Sequence, residues 1–191
     1  AAGLLLGIAF LMKQHGVFFT GLGVLLVSGE LFRSQGLERR QRIEQLAVLA
    51  GASALPYLIT CVAIWRAGAF DTFWFWTFEY ARAYSGIIPI EEGPSRFASQ
   101  LVAVTEGGLA LWGLAALGLG SLFWWPPAKR KRFVMLSFTA ASLASLTPGF
   151  YFRPHYFVLA LPVVALLGSV AACSLGDLVA GQARPWLRVW V

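Results

Sequence analysis

Residues 46–65 read LAVLAGASALPYLITCVAIW and contain no charged side chain. A membrane-spanning helix needs about 20 predominantly apolar residues, because each residue advances the helix by about 1.5 Å through a hydrocarbon core about 30 Å thick. This stretch therefore predicts one transmembrane helix. Pro56 lies inside it, and neighbouring helices in a membrane can satisfy the backbone group that a proline frees.

Five further apolar stretches accompany this one, and two of them, residues 3–12 and 133–146, are short. They cover residues 3–12, 17–32, 101–125, 133–146 and 156–175. The sequence thus predicts an all-α, polytopic transmembrane helical bundle with about six membrane segments. Composition agrees, because 58% of the 191 residues are hydrophobic and 13% are charged, against about 45–50% and about 25% in soluble domains. An ordinary cytosolic enzyme, a disordered protein and a disulfide-stapled secreted domain are excluded.

The beginning of the chain is unlike a secretory signal. It reads Ala1-Ala2-Gly3-Leu4, with neither a basic region before the apolar run nor a small-residue cleavage site after it. We expect residues 1–191 to form a single transmembrane domain of a longer protein, cut inside or just before a membrane helix.

The loops that join the six predicted segments alternate between the two sides of the membrane, and lysine and arginine are distributed unequally between these sides. Ten of the fifteen lie on one side, namely Arg33, Arg39, Arg40, Arg42, Lys129, Arg130, Lys131, Arg132, Arg184 and Arg188. The other five are Lys13, Arg66, Arg82, Arg96 and Arg153. Because cytoplasmic loops carry the excess of basic residues, the larger set is predicted to be cytoplasmic. The net charge of +6 then reflects topology, and no nucleic-acid partner is indicated.

The longest external connection, residues 66–100, is rich in aromatic side chains. On an α-helix one stripe would hold Phe70, Phe73, Trp74, Thr77, Phe78, Ala81 and Tyr84, and the other side would hold Asp71, Phe75, Glu79 and Arg82. Aromatic rings favour the headgroup level of a bilayer, so we predict an external helix lying in the interface. Contact with a substrate is the alternative interpretation.

Both histidines lie in short external turns beside a cation, His15 next to Lys13 and His155 next to Arg153. Ionisable groups at a membrane boundary are costly unless they are hydrated or paired, and two cationic turns on one face suit a phosphate. Attraction of these side chains to ordinary lipid headgroups is the alternative. The two cysteines suggest neither a disulfide nor a metal site, no nucleotide-binding loop is present, and no cofactor is indicated.

Three stretches resemble membrane glycosyltransferases of the GT-C fold, in the protein-O-mannosyltransferase and aminoarabinose-transferase group. Residues 3–16, GLLLGIAFLMKQHG, resemble a Gly-rich helix of that family that ends in a lysine. Residues 150–162, FYFRPHYFVLALP, are similar to its late turn and helix with His-Tyr-Phe and a following proline. Residues 67–73, AGAFDTF, are similar to the start of a later external loop.

The resemblance implies a polyprenyl-phosphate-linked sugar donor, and inverting transfer to a glycan, lipid or protein acceptor on the external face. It implies a multi-pass protein of the bacterial inner (plasma) membrane that acts in envelope polysaccharide biosynthesis. Its lipid-phosphate ligands would be Lys13, Arg153, His155 and His15, and its candidate pocket residues would be Asp71, Glu106, Tyr151 and Tyr156.

In that family the catalytic base is a carboxylate of the first external loop, which would precede Ala1. The resemblance thus implies that residues 1–191 lack the N-terminal helices and first external loop of the full-length protein. The full-length protein is therefore expected to be a hexosyl- or pentosyltransferase, the isolated chain is expected to be inactive, and metal dependence stays open. Two other functions are also considered. One is a transporter or channel fragment, whose polar residues should line a pathway at mid-depth. The other is a non-catalytic membrane scaffold subunit.

Overall fold

The computed structural model describes residues 1–34, 36 and 38–182. These residues are 85% helical and contain no strand, which confirms the all-α prediction. The α-helices are α1 (Ala2–Met12), α2 (Gly16–Arg33), α3 (Arg39–Arg66), α4 (Phe70–Trp74), α5 (Tyr80–Ser85), α6 (Gly93–Glu106), α7 (Leu109–Trp124), α8 (Pro126–Lys129), α9 (Arg132–Ala144) and α10 (Leu161–Gln182). A π-helix, Phe75–Glu79, joins α4 to α5. Arg184 and Arg188 of the cytoplasmic set lie outside the described residues.

Fewer helices are long enough to cross a membrane than the six segments predicted. In the described part of the chain, three qualify by length and composition, namely Gly16–Arg33, Arg39–Arg66 and Leu161–Gly181. A fourth span arises only if the bent pair α6–α7 counts as one. The short segments at 3–12 and 133–146 became α1 and α9, with 11 and 13 residues. At about 1.5 Å per residue neither traverses a hydrocarbon core of about 30 Å.

The predicted span at residues 101–125 is broken near its start. α6 ends at Glu106, α7 begins at Leu109, and the two helices are bent by 116°. Gly107 and Gly108 occupy the break, and Gly108 has non-helical dihedrals (φ −153°, ψ 34°). Consecutive glycines weaken a helix because they lose the most backbone entropy on folding. Residues 101–106 therefore belong to the helix α6, and the rest of the predicted span lies in α7.

The fold comprises two compact units, Ala1–Pro94 with Ala141–Tyr151, and Ser95–Ala140 with the described residues from Phe152 onward. The prediction of a single domain over residues 1–191 is not tested by this division and stays a prediction.

In the first unit α1 packs directly against α3. Gly3 and Gly7 are buried, and a Cβ on either would overlap α3, at Ala52 for Gly3 and at the Ser53 carbonyl and Pro56 ring for Gly7. Two small residues four positions apart let helix backbones approach closely in a membrane. α2 folds back on α1, and the Thr20 hydroxyl donates to the Leu6 carbonyl over 2.9 Å.

In the second unit α7 packs against α10 with backbones in contact at Gly118 and Leu167. One turn further on, the buried Ser121 and Ser174 hydroxyls share a hydrogen bond of 2.9 Å. The apolar core beside them consists of Ala115, Leu122, Ala128, Ala160, Val163, Val164 and Leu167. Close packing at a glycine together with a hydroxyl pair is the usual way in which helices associate without a hydrophobic driving force.

Cysteine labelling will test the predicted sidedness of α7. In a chain carrying Cys61→Ala and Cys173→Ala, Glu91→Cys should react with a membrane-impermeant maleimide in intact cells, whereas Lys131→Cys should react only after permeabilisation. Both positions are exposed, so a difference in labelling reports the side of the membrane. The reverse labelling pattern would move the excess of basic residues to the outside and refute the predicted orientation.

Candidate functional site

The turn between α1 and α2 holds two of the predicted phosphate ligands. Lys13 is extended (φ −160°, ψ 139°), and its carbonyl accepts a hydrogen bond of 2.7 Å from the Gly16 N–H. Gly16 is buried against the Ala9 carbonyl, where a Cβ would not fit. The close return of α2 on α1 therefore fixes the backbone of the turn, and the side chains of Lys13 and His15 are half-buried.

The two side chains differ in the charge they supply. Burial lowers the pKa of His15 below its usual value of 6.5, and the neighbouring Lys13 ammonium lowers it further. The imidazole is therefore mainly neutral at pH 7, since charging it there is opposed by both effects. Lys13 is then the cation of this turn, and His15 contributes hydrogen-bonding capacity.

Gln14 joins this turn to the aromatic segment, which we define as residues 70–85. Its Nε2 donates to the Thr77 carbonyl over 2.7 Å, across 63 positions of sequence. A second link is aromatic, because Tyr57 of α3 lies 5.3 Å from Phe10 of α1 and 6.4 Å from Phe73 of the segment, measured between ring centroids. The cationic turn is thus docked on the segment that the sequence assigned to the external face.

The π-helix changes which side chains of the aromatic segment share a face. Its turns contain one extra residue, so the α-helical period from which the stripes were derived does not hold across Phe75–Glu79. Around an ideal α-helix, the five-residue step from Trp74 to Glu79 would place the two side chains about 140° apart. The π-helix accommodates one of these residues without extra rotation, so the angle between Trp74 and Glu79 falls to about 40°.

This change of phase produces an open hollow of about 360 Å³ on the aromatic segment, lined by Phe70, Asp71, Trp74 and Glu79. The rings of Phe70 and Trp74 are stacked with centroids 6.2 Å apart. Asp71, a candidate pocket residue of the sequence analysis, therefore lines a concavity together with a second carboxylate.

Tyr151, another candidate pocket residue, docks on the C-terminal end of the same segment. Its ring stacks on that of Tyr84 with centroids 4.6 Å apart and planes at 12°. Its hydroxyl also donates to the Tyr84 carbonyl over 3.3 Å. The flanking Phe150 and Phe152 have positive φ values of 52° and 45°. Such backbone is costly for bulky residues and is characteristic of binding and active sites.

The remaining predicted site residues belong to the second unit. Arg153 and His155 are exposed in the turn that leads into α10, and the rings of His155 and Tyr156 meet edge to face with centroids 4.6 Å apart. Phe157 anchors this turn, because its buried ring packs on Phe97 of α6. Glu106 is the last residue of α6, and its side chain is exposed.

The predicted site residues thus divide between the two units. Lys13, His15, Asp71 and Tyr151 lie in the first unit, and Arg153, His155, Tyr156 and Glu106 lie in the second. A phosphate site built from all four predicted ligands stays a prediction. Among the described residues, no group of three His, Cys, Asp or Glu side chains is placed to hold a metal ion.

Four residues that the sequence analysis did not assign to a site contribute to this geometry: Gln14, Thr77, Glu79 and Tyr84. Gln14 lies in the sequence between the predicted ligands Lys13 and His15, and this position was the only sequence feature that could have pointed to its role. Sequence analysis could not place Glu79 on the same side of the helix as Trp74, because no residue pattern predicts a π-helix.

Comparisons of the chain with protein-family models, with curated proteins and with solved structures found no match.

Proposed function

We propose that the full-length protein is a membrane glycosyltransferase. It would move a sugar from a polyprenyl-phosphate donor to a glycan, lipid or protein acceptor on the external face of a bacterial inner membrane. One observation carries the proposal. The first unit holds the stretches 3–16 and 67–73 and the first two residues of 150–162. In this unit Gln14 donates to Thr77 and Tyr151 stacks on Tyr84, both of which lie in the segment that continues the stretch 67–73.

The chemistry of such a transfer requires fixed positive charge at the leaving phosphate. Negative charge accumulates there as the glycosidic bond breaks, and a cation held in place stabilises it without reorganisation. Lys13 suits this role, because its turn is fixed by the Gly16 N–H and by the docking of Gln14 on Thr77. Exposed apolar side chains of α1, such as Leu5, offer a surface for the prenyl chain.

The catalytic base is assigned by resemblance to a carboxylate upstream of Ala1. On this proposal the chain supplies the phosphate half of the site. Arg153 and His155, the other two predicted ligands, are exposed in the turn ahead of α10 in the second unit, and their part in phosphate binding stays a prediction.

A transporter is the second candidate, and the broken helix pair favours it. Discontinuous helices with exposed backbone ends form the substrate sites of many transporters, and α6 and α7 are bent by 116° at Gly107–Gly108. Uptake of a solute into proteoliposomes without sugar transfer would support this alternative and contradict the transferase.

Replacement of Lys13 in the full-length protein tests the transferase proposal. We expect Lys13→Ala to lower kcat/KM for transfer from a polyprenyl-phosphate sugar by about tenfold, because one charged contact to the developing anion is lost. Lys13→Arg should retain more activity, since the positive charge is kept. The measurement is transfer of radiolabelled sugar by purified protein in detergent.

The matched control is Lys131→Ala, which removes the same charge from an exposed position on the opposite predicted side. It should leave transfer unchanged. Wild-type kcat/KM in Lys13→Ala, with equal thermal stability of the two variants, would refute the assignment of Lys13 to the phosphate.

A further inference from the structure

The transfer chemistry proposed above uses none of the four side chains that form the hollow, Phe70, Asp71, Trp74 and Glu79, although Asp71 was predicted as a pocket residue. It combines two carboxylates with two stacked aromatic rings in an open volume of about 360 Å³. Both acidic side chains are exposed at its rim, as is Trp74, whose exposed fraction is 46%. A ligand can therefore enter from outside without displacing any packed side chain.

The charges of the hollow exclude a phosphate or another anion, because two carboxylates would repel it. A single metal ion also fits poorly. Asp71 and Glu79 are eight residues apart, which separates their backbones by about 12 Å along the axis of an α-helix, whereas metal ligands must converge to within about 2.0–2.6 Å of one ion. The described residues offer no third ligand of the kind a metal would need.

An organic cation matches all four side chains. Aromatic ring faces are negative and attract an ammonium within about 6 Å of the ring centroid, with tryptophan the strongest partner. An ammonium held over Trp74 can donate to one carboxylate about 2.8 Å away and still be attracted by the charge of the other, so it does not require both carboxylates to meet at one point. The π-helix is essential to this arrangement, because it rotates Glu79 to the side of Trp74.

We propose that this hollow binds an alkylammonium group. Two sources present that chemistry at the external surface of a membrane, namely the ethanolamine headgroup of a phospholipid and a free primary amine in solution. The proposal goes beyond the transferase and does not rest on it, because the binding measurement below contains no sugar donor.

Fluorine NMR of the full-length protein labelled with 5-fluorotryptophan provides the test, and Trp74→Phe identifies the Trp74 resonance. In detergent, ethanolamine should shift this resonance with saturation, and N-acetylethanolamine, which lacks the charge, should not. In lipid nanodiscs, a shift with phosphatidylethanolamine but not with phosphatidylglycerol would identify the lipid as the source. A shift with free ethanolamine alone would identify the soluble amine.

Charge-removing variants test the contribution of each carboxylate. We expect Asp71→Asn and Glu79→Gln each to raise the dissociation constant for ethanolamine about threefold, and the double variant to raise it about tenfold, as for cation contacts at exposed sites. Glu91→Gln is the matched control, since it removes an exposed carboxylate of the same unit outside the hollow, and it should bind as the wild type does.

Three outcomes would overturn the proposal. They are an equal shift with N-acetylethanolamine, unchanged affinity in the Asp71→Asn/Glu79→Gln double variant, and no shift with any of the amine probes. The double variant changes only exposed side chains, and its thermal unfolding in detergent should match that of the wild type.

Discussion

Gly118→Ala is expected to lower the free energy of unfolding of the second unit by about 3 kcal/mol. The position that a Cβ would occupy is filled by the backbone of α10, at the Leu167 carbonyl. Backbone atoms in a packed helix cannot rotate away as the end of a flexible side chain can. The added methyl group must therefore separate α7 from α10 and weaken the Ser121–Ser174 hydrogen bond one turn away.

Gly120→Ala, on the same helix, is the control. No atom of the described residues lies within 4 Å of a Cβ at this position, so the substitution should be neutral or stabilising by up to about 1 kcal/mol through the higher helix propensity of alanine. Thermal or denaturant unfolding in detergent measures both variants. Equal stability of Gly118→Ala and Gly120→Ala would show that α7 and α10 do not approach as closely as described.

The long apolar helices could be predicted from the sequence because their signal is continuous. The stretch at 46–65 lies wholly within α3, and 156–175 overlaps the larger part of α10. Their hydrophobicity alone fixes both the helical state and the apolar environment, since every backbone group in a membrane must be bonded within the segment.

The number of spans could not be predicted, because it depends on local breaks within apolar sequence. Residues 101–125 are as apolar as a true span, yet the chain bends at Gly107–Gly108 and leaves α7 with 16 residues. Mean hydropathy is insensitive to such a bend. Two adjacent glycines were visible in the sequence, but close helix packing explains glycines in membrane helices equally well.

The candidate site could be predicted in part for a similar reason. The turn at Lys13 was found because charge is rare in this chain and therefore conspicuous. The link from Gln14 to Thr77 joins residues 63 positions apart, and it depends on how α1, α2 and the aromatic segment pack. The hollow depends on one extra residue in a helical turn, which shifts the faces of the helix without altering its composition.

Gly7→Ala should have an effect as large as that of Gly118→Ala, but in the first unit. A Cβ at Gly7 would overlap the Ser53 carbonyl and the ring of Pro56, both of which are rigid parts of α3. We expect a loss of about 3 kcal/mol in the free energy of unfolding, because α1 must withdraw from α3. Gly21→Ala on α2 is the control and should be close to neutral, since no described atom lies within 4 Å of its Cβ position.

The Gly7→Ala and Gly21→Ala substitutions should also differ in their effect on the proposed phosphate site. α1 ends at Met12, immediately before Lys13, so displacement of α1 from α3 moves the cationic turn relative to the aromatic segment. Transfer activity per folded molecule should therefore fall in Gly7→Ala and stay at the wild-type level in Gly21→Ala. Wild-type activity per folded molecule in Gly7→Ala would show that the position of Lys13 does not depend on the packing of α1 against α3. The hydrogen bond from Gln14 to Thr77 would then be sufficient to hold the turn in place.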